Sequence, residues 1–108
     1  MAREVDLETF AVAWADGGLI VDVREPGEYL VGHVPGARLI PLADVVARAG
    51  GLPADRPVYV ICASGNRSRS AADWMLAGGI DAYSVAGGTS GWARRGGPLV
   101  TGPHENAA

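Results

Sequence analysis

The sequence predicts an α/β fold built on a mostly parallel sheet, and three observations carry that expectation. Apolar runs at residues 19–23, 37–40, 58–61 and 82–85 have the near-continuous hydrophobic character of strands buried on both faces. Segments with helical spacing separate them, and this alternation favours parallel strands joined by crossover helices. The sole cysteine, Cys62, stands where one apolar run ends and a helix-like stretch begins. The carboxyl ends of strands are where open α/β sheets carry their ligand sites.

Taken in order, Val5 and its neighbours form a short first strand. Residues 7–14 read as a helix, with Leu7, Phe10, Ala11 and Trp14 at helical spacing, and Asp16-Gly17-Gly18 stops it. The strand over 19–23 follows. Pro26 suits the first turn of a small helix reaching about Leu30. Gly32-His33-Val34-Pro35-Gly36 is a turn whose histidine bonds to backbone. Residues 37–40 give a third strand, and Pro41 ends its ladder. A helix over 42–49 closes on Gly50-Gly51, and 58–61 is the fourth strand. The next helix covers 68–77, with Ala71, Ala72, Met75 and Leu76 on one face and Gly78-Gly79 as its stop. Residues 82–85 are the fifth strand, Gly87-Gly88 is a turn, and 90–95 makes a last helical turn or two. Trp14, Trp74 and Trp92 are assigned to packing, with Trp92 also a candidate to border the mouth of a site. One domain over residues 1–101 is expected, with 102–108 as a loose tail.

Composition narrows the function classes. The chain has 108 residues, 48% of them hydrophobic, and a mean hydropathy of +0.13, so it is globular and not disordered. A net charge of −3 without basic or acidic blocks argues against nucleic acid and anionic membranes as partners. One cysteine excludes an internal disulfide and a resolving thiol within the chain. The first residues carry no apolar signal-peptide core, and no apolar run approaches membrane-spanning length. A reducing, cytoplasmic setting is therefore expected. No Cys/His cluster and no dinucleotide-binding glycine pattern is present, so neither metal nor organic cofactor is expected.

The segment Cys62-Ala63-Ser64-Gly65-Asn66-Arg67-Ser68 is the candidate site. A polar, glycine-containing turn between strand and helix can aim several backbone N–H groups at one sulfur atom. Such a field favours the thiolate, the nucleophilic form of cysteine. An inert buried thiol needs neither the turn nor Arg67. Gly65 supplies a backbone conformation or a close approach that a Cβ would block. Asn66 tolerates the left-handed region and serves the turn. Ser64 and Ser68 are candidates to donate to the sulfur or to cap the following helix. Arg67 is expected to bind a donor's oxyanion, lock the loop, or combine the two, the alternative being a purely surface arginine, and Arg69 reads as a solvated helix charge. Asp22 and Arg24 are possible supporting residues. Arg24 could pair with Glu28 at helical spacing, or Asp22 could anchor the loop.

Three segments in one order resemble the rhodanese family. They are Leu19-Ile20-Val21-Asp22-Val23-Arg24-Glu25-Pro26-Gly27-Glu28-Tyr29 running on through Gly32-His33-Val34-Pro35-Gly36-Ala37, the loop from Cys62 to Ser68, and Val85-Ala86-Gly87-Gly88-Thr89-Ser90-Gly91-Trp92. The resemblance implies a three-layer α/β/α domain with a five-stranded parallel sheet. It implies that Cys62 accepts sulfur and that Cys62, Ala63, Ser64, Gly65, Asn66 and Arg67 form the cradle. It also implies a small anionic sulfur donor such as thiosulfate, and a thiol, cyanide or sulfur-accepting protein as acceptor. Inactive members usually lack the cysteine, which this chain keeps.

The loop departs from the family in one respect. Thiosulfate-using members often carry a large or basic residue after the cysteine, whereas Ala63 and Ser64 are small and neutral. Weak donor binding follows. The Gly-rich mercaptopyruvate pattern is also unmatched, because Ala63 replaces its first glycine. Two other readings stay open. A phosphatase or arsenate reductase would use a loop one residue longer and a general acid that is not evident here. A carrier that presents sulfur without turnover, or a plain protein-interaction module, needs no further residue.

Overall fold

The computed structural model describes residues 3–106. Five strands, β1 (Glu4–Val5), β2 (Leu19–Asp22), β3 (Arg38–Leu39), β4 (Val58–Ile61) and β5 (Ala82–Val85), form one sheet in the order β1-β5-β4-β2-β3. Every neighbouring pair is parallel. β4 therefore lies at the centre, and its carboxyl end delivers Cys62. The helices are α1 (Leu7–Ala15), α2 (Pro26–Val31), α3 (Val45–Arg48), α4 (Asn66–Ala77) and α5 (Gly88–Arg94).

The strands lack polar alternation because both of their faces are covered. Val21, Val58, Val60, Cys62 and Ala82 pack with Val45 and Ala49 on one face and with Ala71, Ala72 and Met75 of α4. Ile20, Ile61 and Val85 pack with Phe10 of α1, Tyr29 of α2 and Trp92 of α5 on the other. The three-layer arrangement and five-stranded parallel sheet are those expected. Among the described residues no helix is long and apolar enough to cross a membrane.

Local chemistry sets the helix starts. Asp6 caps α1 by accepting from the Thr9 N–H at 2.8 Å. Pro26 opens α2, where Glu25 and Glu28 form a reciprocal capping box. α4 begins at Asn66, two residues before the expected start. Gly65 adopts φ +116°, so the chain turns straight from the loop into the helix. Asn66, expected to serve the turn, is helical instead, and no described non-glycine residue has positive φ.

The segment after Pro41 is less regular than a single helix over 42–49. It runs as a 3-10 turn (Leu42–Asp44), one α-turn in α3, and a second 3-10 turn (Ala49–Gly51). The stiff pair Val45-Val46 and the closing glycines leave room for only one α-turn. β3 is shorter than expected because it is an edge strand paired with β2 alone.

The expected loose tail is instead held to the body as far as it is described. His33 and Val100 form an antiparallel bridge. The Gly102 N–H donates to the Leu30 carbonyl and the Gly36 N–H to that of Glu105, each at 2.9 Å. The ring of His33, fully buried, bonds to the Tyr29 and His104 carbonyls at 2.9 and 2.8 Å. All of these bonds end on backbone carbonyls, which a Gly/Pro-rich sequence does not advertise. Residues 107 and 108 lie outside the described residues. Trp92 is buried between Phe10 and Trp14, while Trp74, expected to pack, is half exposed.

Candidate active site

Cys62 is buried at the carboxyl end of the central strand. The Gly65 N–H donates to its sulfur at 3.1 Å, and the Ser68 hydroxyl lies 3.4 Å from it. Burial pushes the thiol up. Hydrogen bonds from the Ser68 hydroxyl and from the N–H groups of Ser68, Gly65 and Ser64 outweigh it and hold the thiol below its ordinary value. The loop thus favours thiolate by geometry, with no histidine base.

The start of α5 keeps the loop in this shape. The Thr89 N–H donates to the Cys62 carbonyl at 2.8 Å and the Ser90 N–H to that of Ala63 at 3.0 Å. In a trans peptide the N–H points opposite to the preceding C=O. Fixing those two carbonyls on α5 turns the N–H groups of Ala63 and Ser64 the other way. Gly88 makes the approach possible, since a Cβ there would lie 2.5 Å from the Cys62 carbonyl oxygen.

Two ion pairs brace the rim. Arg67 in the first turn of α4 makes a two-pronged bond to Glu28 of α2, at 2.6 and 2.8 Å. Behind it Arg24 pairs with Asp22 at 2.9 Å and donates to the Gly32 carbonyl at 2.8 Å, with both side chains buried. Arg24 therefore pairs with Asp22 and not with Glu28. It ties the end of β2 to the end of α2. Among the described residues no three His, Cys, Asp or Glu side chains gather as metal ligands.

A rhodanese-like domain model matches residues 7–95. The chain belongs to the rhodanese-like domain family. It is 35% identical over 103 residues to a sulfurtransferase of Allochromatium vinosum, covering 93% of this chain and 96% of that protein. It is 38% identical over 78 residues to the thiosulfate sulfurtransferase GlpE of Pseudomonas paraeruginosa, covering 71% of each. A rhodanese-related protein of Thermoplasma volcanium superposes with a TM-score of 0.87 at 29% identity, over 93% of this chain and 99% of that one.

Within this rhodanese-like domain the structure gathers Ser64, Gly65 and Ser68 around the Cys62 sulfur, while the Ala63 carbonyl is held by the Ser90 N–H. The Ser64 and Asn66 side chains are exposed, and Ser64 contributes through its backbone. Gly65 is required by its φ, not by crowding, since a Cβ there meets nothing nearer than 3.7 Å. Ser68 does not cap the helix. Its hydroxyl bonds to the Gly65 carbonyl, to Ser84 and to the sulfur. Arg69 is exposed, 3.9 Å from Glu4. Sequence reading missed Glu28 as the partner of Arg67, the loop contact of Gly88, and Ser84. A serine on the buried face of an apolar strand was the available signal for Ser84.

The Glu28 pair gives a test. Arg67 holds the Glu28 carboxyl down to about 2, from an ordinary 4.5. A carboxylate held lower in the folded state adds stability above its unfolded value and loses it as pH falls through the folded one. The brace is thus complete at neutral pH and fails as pH drops from 4.5 toward 2. Both side chains are about one-third exposed, so the pair adds under about 1 kcal/mol. Glu28→Gln is expected to flatten the acid-side fall in Tm. It should also lower kcat/KM for sulfur transfer about tenfold by freeing Arg67. Thermal melts across the acid range and steady-state kinetics check both.

Proposed function

We propose that this protein is a sulfurtransferase that moves a sulfane sulfur from thiosulfate or a similar small anionic donor to cyanide or a thiol, through a persulfide on Cys62. The observation that carries the reading is the Cys62 sulfur held by the Gly65 N–H at 3.1 Å in a loop that favours thiolate. The thiolate attacks the outer sulfur of the donor. A new S–S bond forms, the donor's S–S bond breaks, and sulfite leaves with the electron pair. The acceptor then attacks the outer sulfur of the persulfide and expels the Cys62 thiolate. Sulfite is a stable anion, so its departure needs no general acid.

Arg67 locks the loop in this reading, because both of its terminal nitrogens are engaged by Glu28. The donor's oxygens are then left to the loop's N–H groups, and donor binding is weak. This agrees with the small, neutral Ala63 and Ser64. The absence of a second cysteine means that the acceptor, a small thiol or a sulfur-accepting protein, comes from outside the chain. A reducing compartment such as the cytoplasm suits a working lone thiol.

The test is intact mass after incubation with thiosulfate, and again after cyanide. A gain of one sulfur atom that cyanide removes as thiocyanate is expected, and repeated turnover identifies an enzyme. A single stoichiometric event would make the protein a carrier. No gain with any sulfane donor would overturn the reading.

A further inference from the structure

One buried hydroxyl beside the sulfur has no part in the chemistry above. Ser84 of β5 is fully buried, opposite Val60 of the central strand. Its Oγ lies 2.7 Å from that of Ser68, which is also fully buried. A hydroxyl has one proton to donate and two lone pairs to accept with. Besides Ser84, Ser68 Oγ meets the Gly65 carbonyl at 3.1 Å and the Cys62 sulfur at 3.4 Å. A carbonyl only accepts, and so does a thiolate. With Cys62 as a thiol, the sulfur donates to Ser68 and Ser68 donates its single proton to the Gly65 carbonyl; with Cys62 as a thiolate, that proton is the one available to the sulfur. The proton between the serines must then come from Ser84.

We propose that Ser84 is a positioning residue for Cys62 that acts through Ser68. Its hydroxyl donates to Ser68 Oγ, stops Ser68 from turning its proton toward β5, and leaves that proton for the sulfur. An oxygen that accepts a hydrogen bond also becomes a stronger donor, and in a dry interior this strengthening is not diluted by water. When Cys62 ionises, Ser68 moves its proton from the Gly65 carbonyl to the sulfur while the Ser84 bond stays fixed. Of the charged groups around the loop, Arg67 of α4 couples to Cys62, Glu28 of α2 and Asp22 at the end of β2 couple to Arg67, and Arg24 couples to Glu28. Substitution of either serine leaves all four in place. The inference rests on the reading of Cys62 as the nucleophile, but not on any particular sulfur donor.

The experiment is the pH dependence of Cys62 alkylation by iodoacetamide, followed by intact mass in the full chain. Cys62 is the only thiol, so the signal has one source. Ser84→Ala should displace the profile to higher pH. The rate below the inflection should fall about fivefold, the scale of one ordinary hydrogen bond, and converge with wild type at high pH. Ser84→Thr, which keeps the hydroxyl, should restore the profile. In a Ser68→Ala background, Ser84→Ala should have no further effect, since the path to the sulfur is already cut.

A Ser84→Ala profile that superimposes on wild type would overturn the proposal. So would a folded Ser84→Thr displaced as far as the alanine variant, because the hydroxyl would then not be the agent. An equal fivefold loss on top of Ser68→Ala would also overturn it, because Ser84 would then act without Ser68. Uptake of sulfur by the wild-type protein is measured separately. Failure there would remove the sulfurtransferase reading and leave the alkylation result standing.

Discussion

Cys62→Ser will leave a folded protein that takes up no sulfur. The substitution changes one buried atom at the end of β4, and the loop's backbone bonds to Thr89 and Ser90 do not involve the side chain. The fold should survive with little change in Tm. The chemistry should not survive. The loop can ionise a thiol because a thiol starts near 9 and the Ser68 hydroxyl and the loop N–H groups bring it down. The same field acting on an alcohol leaves it protonated. A serine also cannot store sulfur as a persulfide, so the two-step relay loses its intermediate. The expected loss in kcat/KM is on the order of 10⁴ or more, the scale seen when a covalent nucleophile is removed. Stoichiometric sulfur loading and thiocyanate release are the measurements. Retained turnover in this variant would end the proposal of a Cys62 persulfide.

The same physics explains why some of this molecule could be read from its sequence and some could not. β2, β4 and β5 announce themselves because central parallel strands are apolar on both faces, and their residues divide cleanly between the two packed layers. The Cys62 loop is legible because a thiolate cradle is local. Sulfur, glycine turn and helix start lie within seven consecutive residues. Glu28 was not legible as the brace of Arg67, because the two lie 39 positions apart and meet only through the crossover order of the sheet. The partners of Ser84 and Gly88 are hidden for the same reason, although a serine within an apolar strand was itself a signal. Their roles depend on β5 lying beside β4, which no local pattern encodes. The start of α4 was missed because a φ of +116° at Gly65 shortens the loop, and glycine permits many turns without specifying one.

Gly88→Ala will cost more than any other small substitution at the rim of the loop. Two effects combine there. Gly88 holds φ +58°, where a Cβ costs about 1–2 kcal/mol by itself. That Cβ would also lie 2.5 Å from the Cys62 carbonyl oxygen and 2.6 Å from the Ala63 carbonyl carbon and oxygen. All three are backbone atoms, so no rotamer change relieves the collision. Either α5 withdraws from the loop or the loop turns. Both movements break the bonds from Thr89 and Ser90 that set the direction of the loop's N–H groups. The expected loss is about 3 kcal/mol, a fall in Tm of roughly 10 °C or more. The control is Gly17→Ala. Gly17 has φ +80° with nothing within 4 Å, so it carries the strain without the collision. It should lose about 1 kcal/mol and keep full sulfur uptake. At a temperature where both variants are folded, iodoacetamide should alkylate Cys62 more slowly in Gly88→Ala than in Gly17→Ala. Equal melting and equal alkylation in the two would mean that α5 does not shape the loop.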